Sequence, residues 1–266
     1  MYTDASSIGG GGFFEGEEEI FHCFWTPAES LASSTYRELE VFRRLVTALS
    51  PTLRGRNLIW KCDNMNVVGI LKRGSMKEDL QLVAKQIFYL KRERGIEISA
   101  VWISRSVNRR ADAISKIPFP FDWVVSQHIF SYIDSIWGPF TCDAFADGSN
   151  SKCRKFYSKF PCPGSFGVNA LDYDWGRDKS WVTPPISLIG NTILHMKRCR
   201  AYGALVVPRW EASYFWPLLC REDGSFAEFI LEFKEYGRPV RFFREGNSKF
   251  EGLGANMLIL RIDCRK

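Results

Sequence analysis

The chain has 266 residues and a formal net charge of +6, and 45% of its residues are hydrophobic. This content excludes an intrinsically disordered chain, and the length is enough for two domains. The eight cysteines form no CxxC pair and only three histidines are present, which excludes a zinc site of ordinary spacing. No signal pattern or membrane-length apolar run occurs, so we expect an intracellular protein, cytoplasmic or nuclear, without a membrane partner.

The first 25 residues predict three short strands. MYTDASS, IGGGGFF and EIFHCFW form them, and the acidic run EGEEE predicts a solvated hairpin turn. The glycine run permits close packing between strands. No GxxxxGKS/T pattern is present, so a turn is favoured over a phosphate-binding loop. Asp4, in the first strand, is the first candidate site residue.

A polar connection over residues 26–34 leads into an amphipathic helix, YRELEVFRRLVTAL. Its apolar residues keep the three-and-four spacing of one buried stripe. Glu38 adjoins this stripe in the first turn, and Glu40 competes for the same role. By itself, a glutamate here is more typical of a solvated helix start.

The next strand, LIWKC, ends immediately before Asp63. An aspartate at the carboxyl end of a strand is typical of metal and phosphate sites, and also of simple helix caps. Asn64 opens the helix NVVGILKRG, and a longer helix, KEDLQLVAKQIFYLKRER, ends at Gly95.

A fourth acid follows the strand IEISAVWISR. Asp112 lies in the first turn of a helix formed by NRRADAISK, with Arg105, Arg109 and Arg110 close by. These arginines suit contacts with phosphates, or are ordinary surface charges. The acids at 4, 38, 63 and 112 together suit two divalent ions, Mg²⁺ or Mn²⁺, which take oxygen ligands and activate water for phosphodiester hydrolysis.

The order of elements and the local sequence around each acid resemble the ribonuclease H domains that follow reverse transcriptase in retroelements. TDAS, REL, CDN and WISRSVNRRADAISK carry the resemblance. The DN at strand four resembles DIRS-type (tyrosine-recombinase) retrotransposons. The resemblance implies a ribonuclease H-like mixed five-stranded sheet with helices over residues 1–117, and cleavage of the RNA strand of an RNA·DNA hybrid. It also implies a reverse transcriptase partner, in a longer polyprotein or as a separate chain.

The resemblance also implies roles for single residues. Asp4 and Asp63 would bridge two metal ions, Glu38 would hold one, and Asp112 would complete the other. The residues implied to contact nucleic acid are Asn64, Arg105, Asn108 and Arg109. One departure is the loop ISRSVN before Asp112, which lacks the histidine that many ribonucleases H carry there; we expect a lower turnover as a result.

The second half predicts another α/β domain, of Rossmann type, over residues 123–266, after a linker at 118–122. Strands and helices alternate in it, including a strand before a Pro-Pro turn, the strand GALVVPRW and a helix EASYFWPLL. Further strand-like runs are EFILEF, VRFF and NMLILRI.

This half resembles phage-type DNA N6-adenine methyltransferases, which carry a (D/N/S)PP(Y/F/W) loop. The corresponding residues here are Asp143, Thr183, Pro184 and Pro185. The sequence TPPI lacks both the amide or carboxylate and the aromatic residue of that loop, and no Gly-rich loop for S-adenosylmethionine is evident. We therefore expect an inactive relative that does not use S-adenosylmethionine.

Three hypotheses result. The leading one is a metal-dependent endonuclease of the ribonuclease H type, because all four acids are intact. The alternatives are a catalytically silent nucleic-acid-binding remnant or host-adopted scaffold, and a DNA adenine methyltransferase. Met1 lies only three residues before Asp4, so we expect the chain to be the tail of a longer protein. No pattern indicates an oligomeric state.

Overall fold

A computed structural model describes residues 1–117, 124–237, 242–243 and 256–265. The chain divides into two compact units. The first consists of Met1–Phe119 with Phe160–Ser165, and the second of Pro120–Lys159 with Phe166–Lys266. The predicted linker at 118–122 lies outside the described residues. No helix in the described part of the chain is long and apolar enough to cross a membrane.

The first unit is built on a five-stranded mixed sheet of order β3-β2-β1-β4-β5. Its strands are β1 (Tyr2–Ala5), β2 (Gly9–Phe13), β3 (Ile20–Phe24), β4 (Asn57–Cys62) and β5 (Glu97–Trp102). The first three pair antiparallel, as expected of short strands joined by tight turns, and β1, β4 and β5 run parallel. The predicted ribonuclease H-like sheet is confirmed.

Six helices surround this sheet in the described residues. They are α1 (Pro27–Ser30), α2 (Ser34–Ala48), α3 (Ser50–Leu53), α4 (Met65–Arg73), α5 (Glu78–Arg94) and α6 (Arg109–Ser115). The polar connection at 26–34 therefore contains a helix. Thr26 and Glu29 form a capping box around Pro27, a start signal that the sequence carried. Gly95 ends α5 in the left-handed conformation, as its position predicted.

The apolar stripe of α2 packs on the sheet. Phe42 stacks on Trp60 of β4 with ring centroids 3.6 Å apart, and both side chains are fully buried. The Trp60 indole nitrogen donates a hydrogen bond to the Thr3 hydroxyl at 2.7 Å. This contact satisfies a buried polar group and fixes the backbone next to Asp4.

The glycine run of β2 lets α6 approach the opposite face of the sheet. A Cβ added at Gly11 would lie 2.5 Å from the backbone nitrogen of Ser115, so no larger residue fits without displacing the helix. Gly11 pairs with Asp4 in the register of β1 and β2. The close packing therefore brings the end of α6 to the first candidate acid.

The second unit contains a seven-stranded mixed sheet of order β11-β12-β10-β9-β6-β7-β8. Its strands are β6 (Cys142–Asp143), β7 (Lys155–Ser158), β8 (Gly167–Val168), β9 (Lys179–Val182), β10 (Tyr202–Pro208), β11 (Ile230–Tyr236) and β12 (Met257–Asp263). Five neighbouring strands in this sheet, β10, β9, β6, β7 and β8, are parallel, whereas β12 runs antiparallel to its neighbours β10 and β11. The predicted second α/β domain is confirmed, and its sheet is consistent with a methyltransferase fold.

Two helices in the described part of this unit are α7 (Gln127–Trp137) and α8 (Ile189–Arg198). The predicted helix EASYFWPLL is wrong: only a 3-10 turn, Trp216–Leu218, forms there. Pro217 removes a backbone donor and clashes with a preceding carbonyl, which prevents a longer helix. Of the predicted strand VRFF, only Phe242 and Phe243 are described, and Phe243 makes an isolated bridge with Val125.

Candidate functional site

Three of the predicted acids converge in the first unit. Asp4 in the middle of β1, Glu38 in the second turn of α2 and Asp63 just after β4 offer carboxylate oxygens that all lie within 4.8 Å of one another. Asp4 and Glu38 are buried, and Asp63 is half-buried at the rim. Because β1 and β4 are parallel neighbours and α2 packs against β1, residues far apart in sequence reach one point.

The two carboxylate oxygens of Glu38 differ in their surroundings. Its Oε1 accepts a hydrogen bond from the Ala5 backbone nitrogen at 3.2 Å, whereas Oε2 is buried without a partner. Burial first, then the negative charges of Asp4 and Asp63, raise the pKa of Glu38 well above its ordinary value. An all-oxygen donor set with an unpartnered buried carboxylate oxygen fits a hard divalent cation.

Asp4 shares this environment. Burial is the largest influence and raises its pKa, and the nearby charges of Asp63 and Asp112 act in the same direction. A hydrogen bond that the Ser115 hydroxyl donates to Asp4 Oδ2 at 2.7 Å opposes the rise. Neither Ser115 nor Thr3 is among the predicted site residues, although both lie within the motifs TDAS and ADAISK.

Glu40, the competitor of Glu38, lies in a different environment. It is also buried, which by itself would raise its pKa, but Arg43 and Arg44 bind its carboxylate at 2.6 and 2.8 Å and hold the pKa below the ordinary value. A carboxylate that two guanidinium groups already neutralise is not available to a cation.

Asp112 lies outside the group of three. Its carboxylate pairs with Lys116 at 2.6 Å and Arg105 at 3.4 Å, and the bond from Lys116 is the main reason that its pKa is lowered. It is nevertheless close enough to raise the pKa of Asp4 by repulsion. Asp112 therefore neighbours the three acids but is engaged with two basic side chains.

The predicted nucleic-acid contacts divide into two kinds. Asn64 caps α4 by accepting a bond from the Asn66 nitrogen at 3.0 Å, and it is half-buried. Arg105 and Arg109 are exposed. Asn108 instead is buried, with 1% of its surface accessible, and its amide donates to the Thr3 carbonyl at 2.9 Å. This position suits Asn108 to hold α6 against β1 rather than to touch a ligand from solvent.

In the second unit, Asp143 and the TPPI loop lie at the carboxyl ends of two neighbouring strands. Asp143 ends β6, and Thr183 to Pro185 follow β9, its parallel neighbour. After β6 the chain forms β7 on one side of β6 in the sheet, and later it forms β9 on the other side of β6. In open α/β sheets, such a switch point at the carboxyl ends of strands is the usual ligand site.

Asp143 is buried at this edge, and burial raises its pKa to about 7. Its carboxylate accepts hydrogen bonds from the backbone nitrogens of Lys152 at 2.9 Å and Phe145 at 3.4 Å. It therefore closes the loop after β6. Thr183 is buried, and the prolines after it lead into a 3-10 turn before α8.

Comparison with known proteins finds one match for each half of the chain. Residues 23–117 match a family model described as reverse transcriptase-like, and residues 121–234 match the model of DNA N-6-adenine-methyltransferase (Dam). The first half of the chain is thus similar to the reverse transcriptase-like family and the second half to the Dam family. Each family model covers less than half of the chain.

Two curated relatives match short stretches of the chain. YfdM of Escherichia coli (strain K12) is 38% identical over 55 residues, which is 21% of this chain and 53% of that protein. The DNA N-6-adenine-methyltransferase of Escherichia phage T1 is 32% identical over 66 residues, 24% of this chain and 25% of that protein. The chain thus spans about half or less of the curated relatives it matches.

Solved structures of RNase H1 match part of the chain. The enzyme of Halobacterium salinarum NRC-1 is 16% identical, covering 42% of this chain and 90% of that one, with a TM-score of 0.35. LC11-RNase H1, solved in complex with an RNA/DNA hybrid, is 20% identical over the same shares, with a TM-score of 0.34.

Proposed function

We propose that the RNase H-like domain hydrolyses the RNA strand of RNA·DNA hybrids with divalent metal ions. The observation that carries this proposal is the convergence of Asp4, Glu38 and Asp63 within 4.8 Å, with Glu38 Oε2 buried and unpartnered. Three carboxylates at this separation repel one another in the absence of a cation. The assignment to hybrid cleavage, rather than to cation binding alone, is supported by the RNase H-like fold.

Asp4, Glu38 and Asp63 would hold Mg²⁺ or Mn²⁺, and Asp112 is the fourth acid of the proposed set. Two such ions supply a nucleophilic water and stabilise the leaving oxygen of the scissile phosphodiester. Asp4 and Glu38 must lose their protons before a cation binds, so their raised pKa values couple loading of the site to pH.

The surface around the acids would orient the hybrid. Arg105 and Arg109 are exposed near Asp112 and suit the phosphates of a bound strand. Asn64, next to Asp63, presents a half-buried amide at the rim. We assign Asn108 a positioning role instead, because its amide is committed to the Thr3 carbonyl inside the domain.

Cleavage of an end-labelled RNA·DNA hybrid in Mg²⁺ or Mn²⁺ tests the proposal. Wild-type protein is expected to release RNA fragments, and Asp63→Asn to lose about 100-fold or more in rate, since a metal ligand supplies several kcal/mol of transition-state stabilisation. Asp79→Asn, at an exposed position in α5, is the matched control and is expected to retain the wild-type rate. If wild-type protein binds the hybrid but releases no product, the silent nucleic-acid-binding remnant is favoured.

A second candidate function, DNA adenine methylation, is favoured by the Dam match and by the meeting of Asp143 and the TPPI loop at the sheet's switch point. The substitution of threonine for the loop's amide or carboxylate argues for weak or lost transfer, but leaves binding of S-adenosylmethionine open. Calorimetric titration with S-adenosylmethionine distinguishes these outcomes, with S-adenosylhomocysteine as a second ligand. Absence of heat with both would count against the methyltransferase.

We also propose that the chain derives from a retrotransposon. The DN after strand β4 and the domain that follows support a DIRS-type retrotransposon, with a reverse transcriptase portion as partner. Pull-down of the chain with the reverse transcriptase of its own genome, where one is encoded beside it, would test the partnership. A failure to associate would leave the RNase H-like domain to act alone.

A further inference from the structure

The last residue of α6 contacts the centre of the proposed metal site. Ser115 is fully buried, and its hydroxyl oxygen lies 2.7 Å from Asp4 Oδ2 and 2.9 Å from the Asp112 carbonyl oxygen. We propose that Ser115 is a positioning residue that holds the carboxylate of Asp4 in the orientation needed to bind a metal ion. This inference rests on the proposed metal site of the RNase H-like domain.

The chemistry of the contact gives it a direction. A serine hydroxyl has one proton to donate, and an ionised carboxylate can only accept. When Asp4 is ionised, as a metal ligand must be, the hydroxyl therefore donates to Oδ2 and leaves Oδ1 for the cation. Hydrogen-bond partners of metal-binding carboxylates orient the ligands in this way, and their loss typically weakens metal affinity by about 10- to 100-fold.

The fold holds Ser115 in place from several directions. Gly11 allows the backbone of Ser115 to lie against β2, where a Cβ would approach within 2.5 Å. The Ser6 hydroxyl donates to the Ser115 carbonyl at 2.7 Å. At the other end of α6, the Asn108 amide donates to the Thr3 carbonyl. The helix is thus tied to β1 on both sides of Asp4, which leaves the hydroxyl little freedom.

Ser115→Ala and Ser115→Cys, in the full chain, separate positioning from packing. Alanine removes the donor at nearly the same volume, whereas cysteine is somewhat larger and keeps only a weak donor. We expect Mn²⁺ affinity, measured by electron paramagnetic resonance, to fall about 10-fold or more in the alanine variant and by less in the cysteine variant. Urea unfolding of each variant is measured in parallel. A packing role would leave Mn²⁺ affinity unchanged wherever the domain stays folded.

Thr47→Val is the matched control. Thr47 also donates its hydroxyl to a carbonyl of its own helix, that of Arg43 at 2.7 Å, but it lies more than two turns beyond Glu38. It is expected to bind Mn²⁺ as wild-type protein does. Wild-type affinity in Ser115→Ala, or in Ser115→Cys if the alanine variant does not fold, would overturn the positioning role while leaving the metal site standing. Absence of Mn²⁺ binding in wild-type protein would overturn both.

Discussion

Replacing Glu38 by glutamine should stabilise the metal-free protein at neutral pH. Glu38 lies within 4.8 Å of two further carboxylates, and a pair of charges at that distance repels by about 3.5 kcal/mol at an effective dielectric constant of 20. Burial and the neighbouring carboxylates raise the pKa of Glu38 well above its ordinary value, and uptake of a proton by Glu38 limits how far the repulsion destabilises the fold. We expect a gain of about 1–3 kcal/mol for Glu38→Gln, because glutamine keeps an acceptor for the Ala5 nitrogen.

The sign of the pH dependence follows from the raised pKa. The folded state binds the Glu38 proton more tightly than the unfolded state, so this contribution to stability is fully present below about pH 4.5 and is lost as pH rises through the folded pKa. The difference between Glu38→Gln and wild-type protein should therefore be small at pH 4 and large at pH 7 in EDTA. Saturating Mg²⁺ should stabilise the wild-type protein and not the variant.

Urea unfolding monitored by hydrogen exchange of peptides within residues 1–117 measures this domain separately from the other. Glu40→Gln is the matched control from the same helix. Weakening the three charge-assisted hydrogen bonds that Glu40 accepts from Arg43 and Arg44 should destabilise the domain by about 1–3 kcal/mol at pH 7. If Glu38→Gln also destabilises the domain at pH 7 in EDTA, the repulsion on which this account depends does not exist.

Three further predictions concern the surroundings of the acids. Mn²⁺ affinity should increase as pH rises from 5 to 8, because Asp4 and Glu38, whose pKa values are raised, must be ionised to bind; calorimetry that finds a flat profile would contradict this. Gly11→Ala should destabilise the first domain by about 1–3 kcal/mol in urea unfolding, since its Cβ meets the backbone of α6 at 2.5 Å; unchanged stability would mean that α6 packs less closely. In filter binding, Arg109→Ala should weaken hybrid binding and reduce its salt dependence, while changing stability by less than about 0.5 kcal/mol. In urea unfolding, Asn108→Ala should instead cost about 1–3 kcal/mol of stability. The reverse pattern would show that the roles of these two residues are exchanged.

Much of the first domain could be predicted because local signals agree with the global fold. The alternation of strands, the stripe of α2 and the Gly95 cap each depend on neighbours in sequence. The choice between Glu38 and Glu40 depends on what lies across space. One signal was nevertheless present: Arg43 and Arg44 stand three and four residues after Glu40, the spacing of helical ion pairs.

The remaining differences come from tertiary contacts and from proline. Nothing in the sequence distinguishes the buried Asn108 from the exposed Arg109 beside it, because the docking of α6 on a glycine-lined strand decides which side chain turns inward. The engagement of Asp112 by Lys116 and Arg105 is likewise a matter of side-chain placement. At residues 211–219, apolar composition predicted a helix although Pro217 argued against one.

The most direct test is to locate a bound ion. Crystals of the full chain soaked in Mn²⁺ should give an anomalous difference peak about 2.0–2.3 Å from carboxylate oxygens of Asp4, Glu38 and Asp63. The same peak should be absent from Glu38→Gln and present in Glu40→Gln. Saturating Mn²⁺ that leaves no peak among these three carboxylates would contradict the metal centre on which the proposed function depends.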